Sequence, residues 1–550
     1  LYLIIPGDSQ SFPHGIYRWN PEKREIILIS DRNPTVWIQK VFNTKALLDN
    51  AAYVLCIAAN FKRSVSKYAN RGYRYILLEA GHAAQNAYLY CVEQRIGVVE
   101  YGGFNDEALA REIGLHFPDE AFVTTLIMGI EGRSNIDAVD QEILEIETAH
   151  RLRCTLVGEH KPIETVSLWE PEVDGHPMSQ WAAMAVYRSP HGHVTASSKK
   201  RCRAFATGLT QSQALIKVLA EGFERYALEQ YKSERIECAI KLNEPFLDPR
   251  IVVPYAAIQS EILRNVKPFD PQDEIEWVTG VHGIGGSRIW VPAEIVFYRN
   301  RHLRIPRKPC YEANSSGVAA HFDRQTAIET ALYELIERDA FSVMWYAKRS
   351  VHAIEHEYFS PTILRERALR WEEIGYHVSF LDLTLDGPPV ILVLIWSYDR
   401  TPALFSGASC RSVLIDAANR AFDEAEFMAM TWHDRKPKRS MSMHQVQSPD
   451  DHGLFYVNPK NLLHVEWLLN AKENRVVTKD FSGDLYHFDP IVVDITPKEY
   501  NCELTVVRVL SEKLMPINFG YRSEHYGHQR INMLGFSWNR EFPSIPHFFA

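Results

Sequence analysis

Two short acidic segments constrain this chain more than any other feature. They are Glu221-Gly222-Phe223-Glu224-Arg225 and Glu334-Leu335-Ile336-Glu337-Arg338, both of the form Glu-x-x-Glu-Arg. Residues three apart on a helix share a face about one turn apart, so each segment sets two carboxylates along one stripe. Apolar, alanine-rich sequence precedes both: Ala214-Leu215-Ile216 and Val218-Leu219-Ala220 before the first, Ala327-Ile328 and Ala331-Leu332 before the second. A buried carboxylate without a partner is costly, and Arg225 with Arg338 covers only part of the charge. A divalent cation is the natural remainder, since Mg²⁺ prefers one or two carboxylates together with the phosphates of a bound nucleotide. One such segment alone would read as a solvated face stitched by ion pairs. Two in matched settings read as a site.

Around these segments the pattern predicts helices over 211–231, 324–347 and 413–432, and strands over 273–279, 378–383, 390–396 and 504–510. The glycines of 280–286 fall between two strand-like runs and read as a hairpin turn. Gly407-Ala408-Ser409 also reads as a turn. Nothing matches the Gly-x-x-x-x-Gly-Lys-Ser/Thr phosphate loop, so any ATP site must be built differently. Earlier in the chain, residues 1–60 read as short strands and turns, and 122–128 as an apolar strand. Tyr73 to Gln94, apolar nearly all round, reads as a deeply buried helix. Prolines and charges gather over 134–180, with a helix over 138–150. The domain boundary is expected there.

Composition excludes several classes. A net charge of −9 with no long basic stripe argues against a nucleic-acid binder. No apolar run is long enough to span a membrane. The eight cysteines form no Cys-x-x-Cys pair, so neither a disulfide framework nor a zinc site is expected, and a reducing cytoplasm fits. Position 1 is Leu, so the chain is expected to begin inside a longer protein.

The ordered series of motifs resembles the YcaO family. Ser315-Ser316-Gly317-Val318-Ala319-Ala320 precedes Glu334, Glu337, Arg338, Asp339 and Ala340; Arg420-Ala421-Phe422-Asp423-Glu424 and Val506-Val507-Arg508-Val509 follow. The resemblance covers roughly 180–550. It implies ATP and Mg²⁺ held by Glu221, Glu224, Glu334 and Glu337, with Arg420 meeting phosphate and Ser315, Ser316 and Gly317 forming a backbone turn beside the nucleotide. Two departures stand out. The family's Gly-Lys-Gly is Ala206-Thr207-Gly208 here, which leaves Lys199 or Lys200 to supply a phosphate contact. The usual Pro-His-Pro-x-Pro end, which the family places in the active site, is Pro546-His547-Phe548-Phe549-Ala550.

Residues 1–133 resemble a second family, the FMN-dependent azoline dehydrogenases of the SagB type, which have a nitroreductase fold. The segments that carry the likeness are Lys67-Tyr68, Arg71 to Tyr75, Glu79 to Asn86 and Gly102-Gly103-Phe104. That resemblance implies Lys67 and Tyr68 as the catalytic pair, Gly102 and Gly103 beside the flavin, and a homodimer binding flavin across its interface. It also implies an arginine-rich flavin-phosphate segment, for which Arg133 is the candidate within this chain.

The expected fold class is therefore α+β / α/β: a partial nitroreductase-like α+β domain over 1–135, a linker over 136–179 and a large YcaO-type α/β domain over 180–550. The expected activity is ATP-dependent cyclodehydration of Cys, Ser or Thr in a ribosomally made precursor peptide, followed by flavin oxidation to azoles. Thioamide or amidine formation, or a non-catalytic peptide-binding scaffold, are the alternatives. A separate leader-peptide-recognition protein is expected as partner.

Overall fold

A computed structural model describes the chain except for residues 7–12, 43–47, 49–50, 95, 131–132, 171, 174–175, 178–179, 190–201, 256–265, 298–306, 312, 360–362, 433–440, 475–477, 522, 527, 539–544 and 550. The chain divides into two units, Leu1–Leu144 and Glu145–Ala550.

In the first unit six antiparallel strands run in the order Glu25–Ser30, Gly15–Asn20, Tyr2–Ile5, Tyr53–Asn60, Glu120–Ile130 and Ile96–Tyr101. Helix α1 (Phe61–Tyr68) leads into α2 (Asn70–Glu93), and α3 (Asp106–Ile113) follows the last-named strand. The sequence suggests that α2 is buried all round, but only one stripe is. Gly72, Ile76, Ala80 and Ala84 recur every fourth residue and are buried, Ala80 and Ala84 against Ile57 and Leu126 of the sheet. Leu77, Leu78, Leu89, Tyr90 and Val92 are exposed. Small residues along the stripe let the helix lie close to the sheet, which leaves the large ones outside.

The second unit begins differently from the expected linker. Residues 136–179 contain most of α4 (Arg133–Leu156) and the strand Ile163–Trp169, which pairs with Trp181–Tyr187 and, through it, with Arg203–Gly208. Leu152, Leu156 and Ile163 join one core with α5 (Gln211–Glu229). Most of the charge of the segment lies on α4, and Pro162 directly precedes the edge strand.

A second sheet orders Arg235–Cys238, Glu274–His282, Ile491–Asp494, Thr505–Leu510 and Val318–His321, with Arg288–Pro292 paired to Glu274–His282 across the glycine turn. Side chains alternate faces along a strand. Thus Val507 and Val509 enter the core around α6 (Arg324–Ala347), while Val506 and Leu510 enter the core around α5. The two acid-bearing helices thus pack on opposite faces of one sheet, and both touch its edge strand Val318–His321. A third sheet orders Leu404–Cys410, Val390–Trp396, His377–Asp382, His352–Ile354 and Glu473–Asn474. On one face it packs against α6; on the other it packs against α7 (Ile363–Glu373) and α8 (Leu414–Trp432). Sandwiched between two sheets, α6 is buried over most of its length, Glu337 and Asp339 included.

Residues 407–409, read as a turn, lie inside the buried strand Leu404–Cys410. Their small size is a packing requirement: a Cβ on Gly407 would stand 2.3 Å from the Ala421 carbonyl oxygen and 2.4 Å from the Ala425 nitrogen of α8.

Candidate functional site

Because α5 and α6 meet around the edge strand, their acids share one field. The charge of Glu334, on α6, pushes the carboxyls of Glu221 and Glu224, on α5, upward in pKa, in addition to the larger effect of burial. Arg225 draws Glu221 back by an ion pair at 3.2 Å. On α6, Arg338 donates to Glu334 at 3.1 Å and to Glu337 at 2.6 Å. Burial still holds Glu337 well above the ordinary carboxylate range, with Glu424 and Glu334 adding to it.

Glu424 is a fifth carboxylate that the sequence reading passed over as a site residue. The residue keeps an exposed edge, yet partial desolvation by the protein around it raises its pKa to about 7, against the pull of Arg338 and Arg411. It lies on α8 one turn after Arg420, an i,i+4 pair on an apolar helix, and that spacing was the available signal. Arg420 is itself lowered, by burial first and then by Arg411. The residues placed in one electrostatic neighbourhood are therefore Glu221, Glu224, Glu334, Glu337 and Glu424, together with cations from three helices and the end of a strand.

The loop 314–317 closes the side of this site next to α6. Ser316 N–H donates to the Asn314 side chain at 3.0 Å, and Gly317 N–H donates to Glu334 at 3.0 Å. The Gly317 carbonyl accepts from Val509 N–H at 2.7 Å. Gly317 sits at φ +77°, where a Cβ would lie 2.6 Å from the Val509 carbonyl oxygen, so only glycine fits. Ser315 is part-exposed, and Ser316 is buried. Behind α6, the ring of Phe549 lies 4.5 Å from the Arg338 guanidinium, and His547 and Phe548 are buried with it. The non-standard tail thus backs the arginine that holds two of the acids.

Among the described residues no three His, Cys, Asp or Glu side chains gather closely enough to hold a metal by themselves. The donor set nevertheless fits Mg²⁺ with a nucleotide, which requires only one or two carboxylates plus phosphate oxygens and water. Excess acid with raised pKa values is what a bound cation would relieve. Lys199 and Lys200 lie outside the described residues.

In the first unit Lys67 and Tyr68 end α1 and line a groove with Asn60, Arg63, Tyr75 and Glu79. The Tyr68 ring packs edge-on to Tyr75 at 5.4 Å. Gly102 and Gly103 are not among the groove's lining residues; a Cβ on Gly102 would meet open space, whereas one on Gly103 would stand 2.6 Å from the Tyr101 hydroxyl. Arg133 opens α4, but its side chain is outside the described residues. An open groove with a lysine, an arginine and aromatic walls suits a flat anionic cofactor.

Five acids and several arginines thus gather around a sheet edge in a chain whose sequence holds no phosphate loop. The YcaO cyclodehydratase family, described as ATP- and Mg²⁺-binding, matches residues 205–514, and the nitroreductase family matches 13–130. The chain belongs to the YcaO family and carries a nitroreductase-family domain ahead of it. A nitroreductase-family protein of Methanocaldococcus jannaschii is 36% identical over 106 residues, which are 19% of this chain and 53% of that protein. An uncharacterized protein of Methanothermobacter thermautotrophicus is 24% identical over 269 residues, 44% of this chain and 66% of that one. The chain thus spans between about half and two thirds of the length of these relatives. A solved heterocyclase in complex with substrate and cofactor shares the fold at TM-score 0.56 and 18% identity, covering 68% of this chain and 52% of that one. No described helix is long and apolar enough to cross a membrane, and all eight cysteines are free.

Proposed function

We propose that the second unit is an ATP-dependent cyclodehydratase acting on Cys, Ser or Thr of a ribosomally made precursor peptide. The observation that carries this reading is the approach of both acid-bearing helices to the edge strand Val318–His321, where Gly317 N–H holds Glu334 and the charge of Glu334 reaches Glu221 and Glu224. Bound Mg²⁺·ATP supplies the phosphoryl group that makes a peptide amide oxygen a leaving group. The chain's own part is positioning and charge. Gly317 N–H and Arg338 fix the Glu334 carboxylate in one orientation, so that it meets a cation without rearranging, and Arg338 does the same for Glu337. Arg420 and Arg411 offer positive charge on the α8 side, where phosphate charge would build up. Phosphoryl transfer asks for this kind of preorganisation more than for a protein nucleophile. The substrate side chain attacks the preceding carbonyl carbon, the resulting oxyanion accepts the phosphoryl group, and loss of phosphate with a proton leaves the azoline.

The first unit is proposed to oxidise that ring with FMN. Lys67 and Tyr68 in the groove are suited to take the proton lost from the ring, and bound FMN would supply the oxidising equivalent. The separation of Gly102 and Gly103 from that groove and the exposed apolar side chains of α2 support a homodimer that completes the flavin site. A separate leader-peptide-recognition protein is proposed as partner.

Mass spectrometry of a Cys/Ser/Thr-rich precursor incubated with the protein, its recognition partner, ATP and Mg²⁺ tests both parts. One water should be lost per ring, and two hydrogens more when FMN is present. Glu224→Gln and Glu337→Gln should abolish the water loss. A variant pair that leaves function intact, with no nucleotide bound by the parent, would point to the scaffold instead.

A further inference from the structure

Lys217 lies on α5 one turn before Glu221 and two turns before Arg225, in a stripe of residues four apart. Its ammonium turns back to donate to the Thr207 carbonyl at 3.0 Å. That carbonyl belongs to a strand held tight against the start of α5: a Cβ on Gly208 would stand 2.5 Å from the Ala214 nitrogen. Helix α8 is drawn alongside by the Phe205–Phe427 contact, with ring centroids 5.8 Å apart, and by a hydrogen bond from Gln180 to Asp423.

The result is a cluster of like charges. Burial lowers the Lys217 pKa, and Arg420 and Arg411 lower it further; Asp423 and Glu145 only partly oppose this. Asp423 is already engaged by Arg367 at 2.9 Å as well as by Gln180. Glu145 likewise accepts from Gln213 at 3.2 Å. Three cations gathered from a helix, a strand end and a second helix, with Asp423 and Glu145 engaged by other partners and Glu424 and Asp416 beside Arg420, form a receptor for a dense anion that arrives with a metal. One turn along the same face of α5 begins the carboxylate group that would take the metal, and a triphosphate is the ligand that presents both charges to one site.

We infer that Lys217 contacts the outermost phosphate of the nucleotide, with Arg420 and Arg411 beside it, and so supplies the charge that Ala206-Thr207-Gly208 lacks. The inference rests on the nucleotide site proposed above. It selects for triphosphate over diphosphate, because ADP carries no group that reaches the lysine.

Isothermal titration of the full chain with Mg²⁺ and either a non-hydrolysable ATP analogue or ADP tests it. Lys217→Met should weaken the analogue by about tenfold or more, the worth of one charge-assisted contact, while ADP changes by less than about threefold. Lys217→Arg should recover part of the loss. The thermal midpoint of nucleotide-free Lys217→Met should not fall, since the lysine sits desolvated among cations. Equal weakening of both nucleotides, together with a lowered midpoint, would mean that Lys217 only braces Thr207 and would overturn the inference. Unchanged analogue binding in Lys217→Met overturns it as well, while the parent site stands. A parent protein that binds neither nucleotide sinks both readings.

Discussion

Asp339 follows directly on the second acidic segment, yet its carboxylate turns away from the site. It accepts from Met515 N–H at 2.8 Å and from Arg530 through two nitrogens, at 2.9 Å from Nε and 2.8 Å from Nη2. Arg530 also donates to Asp386 at 2.6 Å. The Asp339 side chain is 1% exposed, that of Arg530 6% and that of Asp386 46%. Replacing Asp339 by Ala leaves a buried guanidinium with one partly solvated partner. Breaking such a pair from one side costs about 3–5 kcal/mol. Removing both members, as in Asp339→Leu with Arg530→Met, should cost far less than the two single changes together, with a coupling of about 2 kcal/mol or more. Hydrogen exchange read by mass spectrometry suits the question, because the Met515 amide bonds Asp339 itself and reports locally. In Asp339→Ala its protection should fall by about a hundredfold or more. The reasoning is refuted if that amide keeps its protection, or if the double variant loses as much as the sum of the singles.

Asp339 also carries a pH signature: burial raises its pKa from 3.8 to about 6 despite Arg530. A raised acid pKa favours the folded state at low pH, so this group's contribution is lost as pH rises from about 4 to about 6, on the order of 3 kcal/mol. Asp339→Asn should flatten that part of a pH–stability curve measured by denaturant unfolding. Glu424, near 7 where the surrounding protein desolvates its carboxyl, must be ionised to meet a cation, so Mg²⁺-nucleotide affinity should drop about tenfold from pH 8 to pH 6; Glu424→Gln should bind weakly with a flatter profile in the same titration. Gly407→Ala drives a Cβ into α8 backbone on two sides, which should cost about 1–3 kcal/mol and displace Arg420 and Glu424. Paired melting and nucleotide-binding measurements should show both losses, and an unshifted melt would contradict the packing.

Much of the second unit was legible from its letters. Long stretches free of Gly and Pro, such as 324–347, have one helical solution, and buried strands such as 390–396 show as unbroken apolar runs. What stayed hidden had a physical cause in each case. Ile163–Trp169 alternates Glu, Thr and Ser because it is an edge strand with a wet face. Ser406-Gly407-Ala408-Ser409 imitates a turn because α8 comes within backbone distance. The α2 stripe is built of Gly and Ala, which carry little weight in an apolar tally, while the conspicuous Leu and Tyr residues lie outside. Of the candidate site, the four acids of the repeated segments stand out in the sequence because their spacing repeats. Glu424 showed only as an i,i+4 partner of Arg420 and Lys217 not at all, because what joins them to the others is the approach of α8 to the first strands of the second unit.

Gly317 ties Glu334 to Val509, a residue almost two hundred positions further along the chain. During synthesis α6 leaves the ribosome long before the strand that seats this loop exists, so its acids emerge without the backbone that orients them. Long-range pairing of this kind forms late and slowly. At the proposed site, metal and nucleotide would therefore meet an oriented Glu334 only after the strand carrying Val509 has been made and paired.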